Sequence, residues 1–86
     1  MKREKLFEEL KTKAKNLRFA RMCKIAELFG FRFRGGKGSH RIYVRKDVVE
    51  MLNFQDVNGK AKPYQVQQFI KVIEKYHLIK EEKEDV

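Results

Sequence analysis

Residues 30–44 read GFRFRGGKGSHRIYV, and this stretch decides the fold. Two short runs, in which bulky apolar and charged residues alternate, lie on either side of a glycine-rich segment. A period of two predicts strands, and the segment GGKG between them predicts a hairpin turn. The alternation also predicts which side chains face the core and which face outward. The set expected to face a core is Phe31, Phe33, Ile42 and Val44, and the set expected to face outward is Arg32, Arg34, Arg41, Tyr43 and Arg45.

Two apolar stripes at spacings of three and four residues precede this hairpin and predict helices. The stronger stripe runs through residues 16–29 and contains Phe19, Met22, Cys23, Ala26 and Phe29. The weaker stripe lies among charges in residues 3–14. Its apolar side either packs on the same domain or recruits another chain, and the sequence leaves both possibilities open.

The remaining elements follow the hairpin. The segment MLNFQDV, residues 51–57, predicts a third strand ahead of the turn pair Asn58-Gly59, while residues 45–51 form either a loop or a short helical turn. A final amphipathic helix is expected to begin at Pro63, because proline fits the first helical turn.

This order of elements predicts an α+β fold in which a three-stranded antiparallel sheet carries helices on one face, with an extra N-terminal helix. We divide the chain into a helical extension (1–16), a domain (17–79) and a charged tail (80–86). A length of 86 residues favours one small domain.

The charge of the protein is positive and unevenly distributed. The chain has a formal net charge of +9. Residues 1–46 contain 15 Lys and Arg residues and 4 acidic residues, whereas residues 47–86 contain 6 Lys and Arg residues and 8 acidic residues. Residues 30–46 contain no acidic residue at all. A cationic sheet face interleaved with aromatic residues is typical of a surface that binds phosphates, although a plainly solvated charged face is the alternative.

Several other classes of protein are disfavoured. The single cysteine, Cys23, allows no intramolecular disulfide, and no apolar stretch approaches the length of a membrane span. We therefore expect a cytoplasmic protein without a membrane partner. The two histidines, His40 and His77, lie far from each other and from Cys23 without zinc-like spacing, so we predict no metal site and no cofactor.

His40 is the candidate catalytic residue. It follows the glycine turn, next to Lys37, Ser39 and Arg41. Glycines let a backbone approach a phosphate, cations stabilise charge on its oxygens, and an imidazole transfers protons near neutral pH. The alternative is a structural histidine at the start of a strand, because His40 shares its side of the strand with Ile42 and Val44.

Two segments carry a resemblance to a known family. Residues 30–43, GFRFRGGKGSHRIY, and residues 58–79, NGKAKPYQVQQFIKVIEKYHLI, resemble the HicA family of toxins from toxin–antitoxin systems. The shared features are a helix ending in Gly-Phe, a Gly-Ser-His turn with an aromatic residue three positions after the histidine, and a Gly-Lys turn before the final helix. The resemblance covers about residues 17–79. Unlike several relatives, this chain has no histidine in residues 54–57.

The resemblance implies a double-stranded-RNA-binding-domain-like fold and an endoribonuclease that cleaves mRNA and arrests translation. It also implies that His40 is catalytic and that a HicB-type antitoxin protein is the partner. With the resemblance added, we expect RNA cleavage by transesterification that depends on His40 and needs no metal. The residues expected to contact RNA are Arg32, Arg34, Lys37, Gly38, Ser39, Arg41, Tyr43 and Arg45.

Two other functions remain open from the sequence. The same basic face would serve a non-catalytic RNA-binding module in which His40 has a structural role. A helix-turn-helix DNA-binding domain is less favoured, because the cations concentrate on strands and not on one recognition helix. Oligomeric state is not predicted.

Overall fold

Three helices and a four-stranded antiparallel sheet make up the computed structural model, which describes residues 2–80. The elements in chain order are α1 (Arg3–Thr12), α2 (Phe19–Leu28), β1 (Arg32–Gly35), β2 (His40–Val44), β3 (Leu52–Val57), β4 (Lys60–Ala61) and α3 (Pro63–Lys75). The strands lie side by side in sequence order. The predicted α+β class is confirmed, and the sheet has one strand more than the three predicted.

The additional strand is produced by the Asn58-Gly59 turn. Both residues adopt left-handed backbone conformations, with φ of 53° and 84°. This is the geometry of a two-residue hairpin turn, for which Asn-Gly is the favoured pair. The turn pairs Val57 with Lys60 and so creates the two-residue strand β4.

The helices cover one face of the sheet, and Phe69 of α3 lies at the centre of the core between them. Its ring centre is 5.9 Å from that of Phe29, 5.8 Å from Phe31 and 5.7 Å from Phe54. Edge-to-face and tilted contacts of this kind add to the gain from burying apolar area. The predicted core residues Phe29, Phe31 and Phe69 are confirmed as buried.

Helix α1 packs on this same core. Leu6 and Leu10 are completely buried. At its surface the Arg21 guanidinium donates two hydrogen bonds to the Glu9 carboxylate, at 2.8 and 2.9 Å, and these bonds lower the pKa of Glu9. Near its start, Arg3 donates a hydrogen bond of 2.7 Å to the carbonyl of Leu78. The apolar side of the N-terminal helix is therefore used within the domain.

Residues 45–51 form a loop with turns, and Glu50 connects it to the end of α3. The Glu50 carboxylate accepts hydrogen bonds from Lys75 Nζ at 2.8 Å and from the Tyr76 hydroxyl at 2.7 Å. These bonds lower the pKa of Glu50 to about 2.

No helix within residues 2–80 combines the length and apolar character needed to cross a bilayer. The predicted charged tail, residues 80–86, lies outside the described residues except for Lys80.

Gln65 is a buried polar residue that joins α3 to the sheet. It is 7% exposed, and its Oε1 accepts a hydrogen bond of 2.8 Å from the backbone N–H of Gln55 in β3. Replacing Gln65 by leucine leaves this N–H without its partner, so we expect the free energy of unfolding to fall by about 1–2 kcal/mol. Urea denaturation measures the change. The control is Gln67→Leu at an exposed position of the same helix, and equal losses in the two variants would contradict the assignment.

Candidate functional site

The glycine turn between β1 and β2 is shaped by a close approach of two backbone segments. A Cβ added to Gly36 would overlap the carbonyl oxygen of His40 and would lie 2.8 Å from the His40 carbonyl carbon. Gly38 adopts a left-handed φ of 60° in open space. The backbone N–H of His40 donates to the carbonyl of Lys37 at 3.0 Å. The turn thus fixes where β2 begins, and with it the position of His40.

The His40 side chain lies on the open face of the sheet, the face opposite the helices. It is half-buried, and its Nδ1 is 3.2 Å from the Oδ1 of Asn53 on β3. When Nδ1 carries a hydrogen, it donates to the Asn53 carbonyl oxygen, and Nε2 is left with a lone pair that can accept a proton. The contact thus orients the imidazole with Nδ1 toward Asn53.

Asn53 was not predicted from the sequence. The pairing of β2 with β3 places Asn53 opposite Ile42, two residues along from the His40–Gln55 pair. Polar residues are common at the outward positions of a strand, where they contact solvent, so Asn53 carries no signal of a functional role. Only the register, which the sequence does not fix, shows that it reaches His40.

Two predicted cations share the open face with His40. Arg32 and Arg34 are both exposed, and Arg34 Nη1 is 3.6 Å from the sulfur of the exposed Met51. The half-buried Ile42 and Val44 lie between them and the histidine. The structure thus brings together a histidine, two arginines and an apolar strip on a surface that none of the three described helices covers.

The predicted residues of the turn lie at the end of this face. Lys37, Gly38 and Ser39 are all exposed. They immediately precede His40, so a phosphate near the imidazole would also be near the turn. Six of the predicted site residues therefore lie on the open face or at its end: Arg32, Arg34, Lys37, Gly38, Ser39 and His40.

The other three predicted RNA contacts, Arg41, Tyr43 and Arg45, lie on the opposite face of the sheet. The predicted inner and outer sides of β2 are therefore wrong, because they are reversed in the structure. Tyr43 is completely buried and its ring packs against Phe54, with centres 5.6 Å apart. Arg41 and Arg45 accompany it, whereas Ile42 and Val44 lie on the open face. The cause is the pairing of Tyr43 with Phe33 of β1, which brings two aromatic rings together on the inner side.

The two arginines on the helix side are accommodated because their long side chains cover apolar surface and reach the edge of the layer. The Arg41 guanidinium lies over the Phe33 ring, 4.3 Å from its centre. The Arg45 side chain packs against Gly30, and its Nε forms an ion pair of 3.1 Å with Asp47. Neither belongs to the surface that carries His40.

Arg41 and Tyr43 instead line a cleft of about 360 Å³ beside α2. Cys23 of α2 lies in the same cleft, and burial raises the pKa values of both the Cys23 thiol and the Tyr43 hydroxyl. The predicted role of Cys23 as a core residue agrees with its burial. Both groups are held in their neutral forms.

Among residues 2–80, no three His, Cys, Asp or Glu side chains are grouped closely enough to hold a metal ion. The His40 imidazole on the open face has the chemistry of a general acid or base. No protein-family model, no curated protein and no solved structure matches this chain.

Proposed function

We propose that this protein is an endoribonuclease that cleaves single-stranded mRNA by transesterification, with His40 as the proton-transfer residue. The observation that carries the proposal is the His40 imidazole on an open, cationic sheet face, oriented through Nδ1 by Asn53. The resemblance of residues 30–43 and 58–79 to HicA toxins supports it and adds two finer proposals. These are a double-stranded-RNA-binding-domain-like fold and a cellular role as a toxin neutralised by a HicB-type antitoxin.

In the proposed reaction, His40 Nε2 removes the proton from a ribose 2′-hydroxyl. The 2′-oxygen attacks the adjacent phosphorus, the bond from phosphorus to the 5′-oxygen breaks, and that oxygen takes up a proton. The products are a 2′,3′-cyclic phosphate and a 5′-hydroxyl. Arg32, Arg34, Lys37 and the amides of the glycine turn would stabilise the charge on the phosphate.

A second function is favoured by one specific observation. Asn53 is the hydrogen-bonding partner of His40, and no second proton-transfer side chain contacts it in the described part of the chain. A non-catalytic RNA-binding module needs no such group. For an enzyme, the same observation predicts slow cleavage, because one side chain, His40, is left to transfer protons.

Binding of single-stranded RNA at increasing salt, in EDTA, tests which surface is used. If Arg32, Arg34 and Lys37 each contact one phosphate, the slope of log K against log salt should be about −2, since each contact contributes about 0.7. Arg34→Gln should make the slope shallower by about 0.7. Lys71→Gln, an exposed change on α3, is the control and should leave the slope unchanged. An Arg34→Gln slope equal to that of the parent protein would exclude the open face as the RNA site.

Asn53 is assigned as a positioning residue, and its substitution gives a separate prediction. Asn53→Ala frees the imidazole to rotate, so we expect kcat to fall about 10- to 100-fold with little change in KM. Asn53→Asp retains an oxygen acceptor and should recover most of the loss. The control is Gln55→Ala, which removes the residue paired directly opposite His40. The rate of RNA cleavage under single-turnover conditions is measured for all three variants. Equal rates for Asn53→Ala and Gln55→Ala would disprove the positioning role.

A further inference from the structure

The end of α1 and the connection to α2 bring three lysines to one side of the domain. Ala14 is buried in the core, so Lys13 and Lys15 on either side of it are held at the surface. Together with the exposed Lys11, they line one wall of a cleft of about 490 Å³. The N-terminal extension therefore packs its apolar side within the domain and presents cations in this cleft.

The opposite wall of the cleft is the first turns of α3, and it carries an exposed aromatic ring. Tyr64 is 60% exposed and lines the cleft with Pro63 and Gln67. Within residues 2–80, Tyr64 forms no ring pair, no cation–π contact and no side-chain hydrogen bond. A single exposed tyrosine is ordinary on a protein surface, but this ring lies in a cleft that also contains three cations.

The positive charge of the cleft is only partly balanced. Among the described residues, no acidic side chain lines it. Glu8 and Glu9 lie nearby in the second half of α1, and both are engaged. Glu8 forms an ion pair of 3.1 Å with Lys11, and Glu9 accepts two hydrogen bonds from Arg21. The other two lysines of the cleft form no ion pair within residues 2–80.

We infer that this cleft is a second contact for single-stranded RNA, in which Lys13 and Lys15 bind phosphates and Tyr64 stacks on a base. A cationic groove beside an aromatic ring is how proteins hold single strands with little regard to sequence. An acidic peptide would satisfy the lysines but would leave the Tyr64 ring without a partner. The inference rests on the proposed function, because it gives the enzyme a hold on RNA away from the site of cleavage.

The cleft adjoins β4, the edge strand of the sheet, and β4 is two strands from the strand that carries His40. At the usual strand spacing this is about 10 Å. The backbone N–H of Ala61 in β4 donates to the carbonyl of Leu17 at 2.9 Å, which joins both walls of the cleft to this edge. Ala61 is buried on the helix side, so its exposed neighbour Lys60 faces the open side and adds a cation between the two sites. An RNA strand that crosses the open face and the β4 edge therefore meets His40, Lys60 and the cleft in turn.

The test is the binding of single-stranded 2′-O-methyl RNA, which lacks the attacking hydroxyl and therefore stays intact in the proposed reaction. The affinity for an RNA of about 20 nucleotides is measured by fluorescence anisotropy over a range of salt concentrations. The contacts in the cleft add to the slope of about −2 expected from the open face, so Lys13→Gln/Lys15→Gln should make the slope shallower by about 1.4. The matched control, Lys5→Gln/Lys71→Gln, removes the same charge from exposed positions elsewhere and should leave the slope unchanged.

Substitutions of Tyr64 test the stacking contact separately. Tyr64→Ser removes an exposed ring, and we expect RNA to bind about 5- to 150-fold more weakly, the range for one base stacked on an aromatic side chain. Tyr64→Phe keeps the ring and should bind RNA as the parent protein does. Because the cleft is away from the reacting atoms, Tyr64→Ser should also raise KM for cleavage of unmodified RNA without changing kcat.

Three results would overturn the inference. The first is a salt slope for Lys13→Gln/Lys15→Gln equal to that of the parent protein. The second is an affinity of Tyr64→Ser within about twofold of that of Tyr64→Phe, which is less than one stacked base contributes. The third is a glutamate-rich peptide that binds more tightly than RNA and loses this affinity in Lys13→Gln/Lys15→Gln, which would assign the cleft to an acidic protein.

Cleavage of unmodified RNA in EDTA by the same preparations separates this inference from the proposed function. Cleavage by the parent protein, with RNA binding that the cleft variants do not change, removes only the second contact. Binding that depends on the cleft, without any cleavage, removes the enzymatic function and leaves an RNA-binding module.

Discussion

Replacing His40 by alanine is expected to slow RNA cleavage by about 10²- to 10⁴-fold, the usual contribution of one general acid or base. The side chain is half-buried on the face of the sheet opposite the three described helices, so its removal should cost little stability. Affinity for RNA should change little, because the proposed phosphate contacts come from Arg32, Arg34 and Lys37. A catalytic role therefore predicts a large loss in rate at almost constant binding.

The control for this variant is the other histidine. His77 is exposed beyond the end of α3, with a left-handed φ of 53°. Asparagine tolerates that backbone conformation, so His77→Asn should fold and should cleave RNA at the parental rate. Single-turnover cleavage and RNA binding are measured for both variants. If His40→Ala cleaves within about threefold of the parent protein, the assignment of His40 as the proton-transfer residue is wrong.

Gly36→Ala is expected to be the most destabilising single-methyl change in the hairpin. The added Cβ would overlap the His40 carbonyl oxygen and lie 3.0 Å from Arg41 Cα, and both are backbone atoms that cannot rotate away. Forcing the strands apart should cost about 3 kcal/mol, the upper end of the usual range for overpacking. Because the displaced residue is His40, cleavage should also fall, even at temperatures where the variant remains folded.

Gly38 provides the comparison for this substitution. It has a left-handed φ of 60°, but nothing lies within 4 Å of an added Cβ. Gly38→Asn should be nearly neutral and Gly38→Ala should cost about 1 kcal/mol, because asparagine tolerates this conformation better than alanine. Thermal or urea denaturation ranks the three variants. A Gly36→Ala protein as stable as Gly38→Asn would contradict the close approach of the two backbone segments.

The sequence predicted the local elements well because their signals are local. Alternation on either side of GGKG located β1 and β2, and the apolar stripes located the three helices. Strand β4 was missed because it has two residues and exists only through the turn that pairs Lys60 with Val57. Asn58-Gly59 was predicted as a turn, and its left-handed geometry is what makes it a hairpin.

The faces of β2 were predicted incorrectly for a physical reason. A strand with alternating residues has two possible orientations, and shifting by one residue exchanges them. The alternation predicts Ile42 and Val44 as inner residues, but the Tyr43 ring buries a large area against Phe54 and faces Phe33 across the strand pair. Burying this aromatic ring outweighs placing two arginines on the inner side, because their guanidinium groups reach the edge of the layer.

The same reversal divided the candidate site. His40, Arg32 and Arg34 share the open face, whereas Arg41 and Tyr43 belong to the cleft next to α2. Neither the His40–Asn53 contact nor the burial of the Tyr43 hydroxyl beside Cys23 and Arg41 could be predicted from the sequence, since both depend on the register of pairing and on how α2 lies over the strands.

The most direct test of the central claim is the chemistry of the RNA ends. Single-stranded RNA is incubated in EDTA with the parent protein and with His40→Ala, and the products are identified over time. Our account predicts 2′,3′-cyclic phosphate and 5′-hydroxyl ends that the parent protein produces and His40→Ala does not. RNA that stays intact while bound in a salt-sensitive manner, or ends that form equally with His40→Ala, would contradict it.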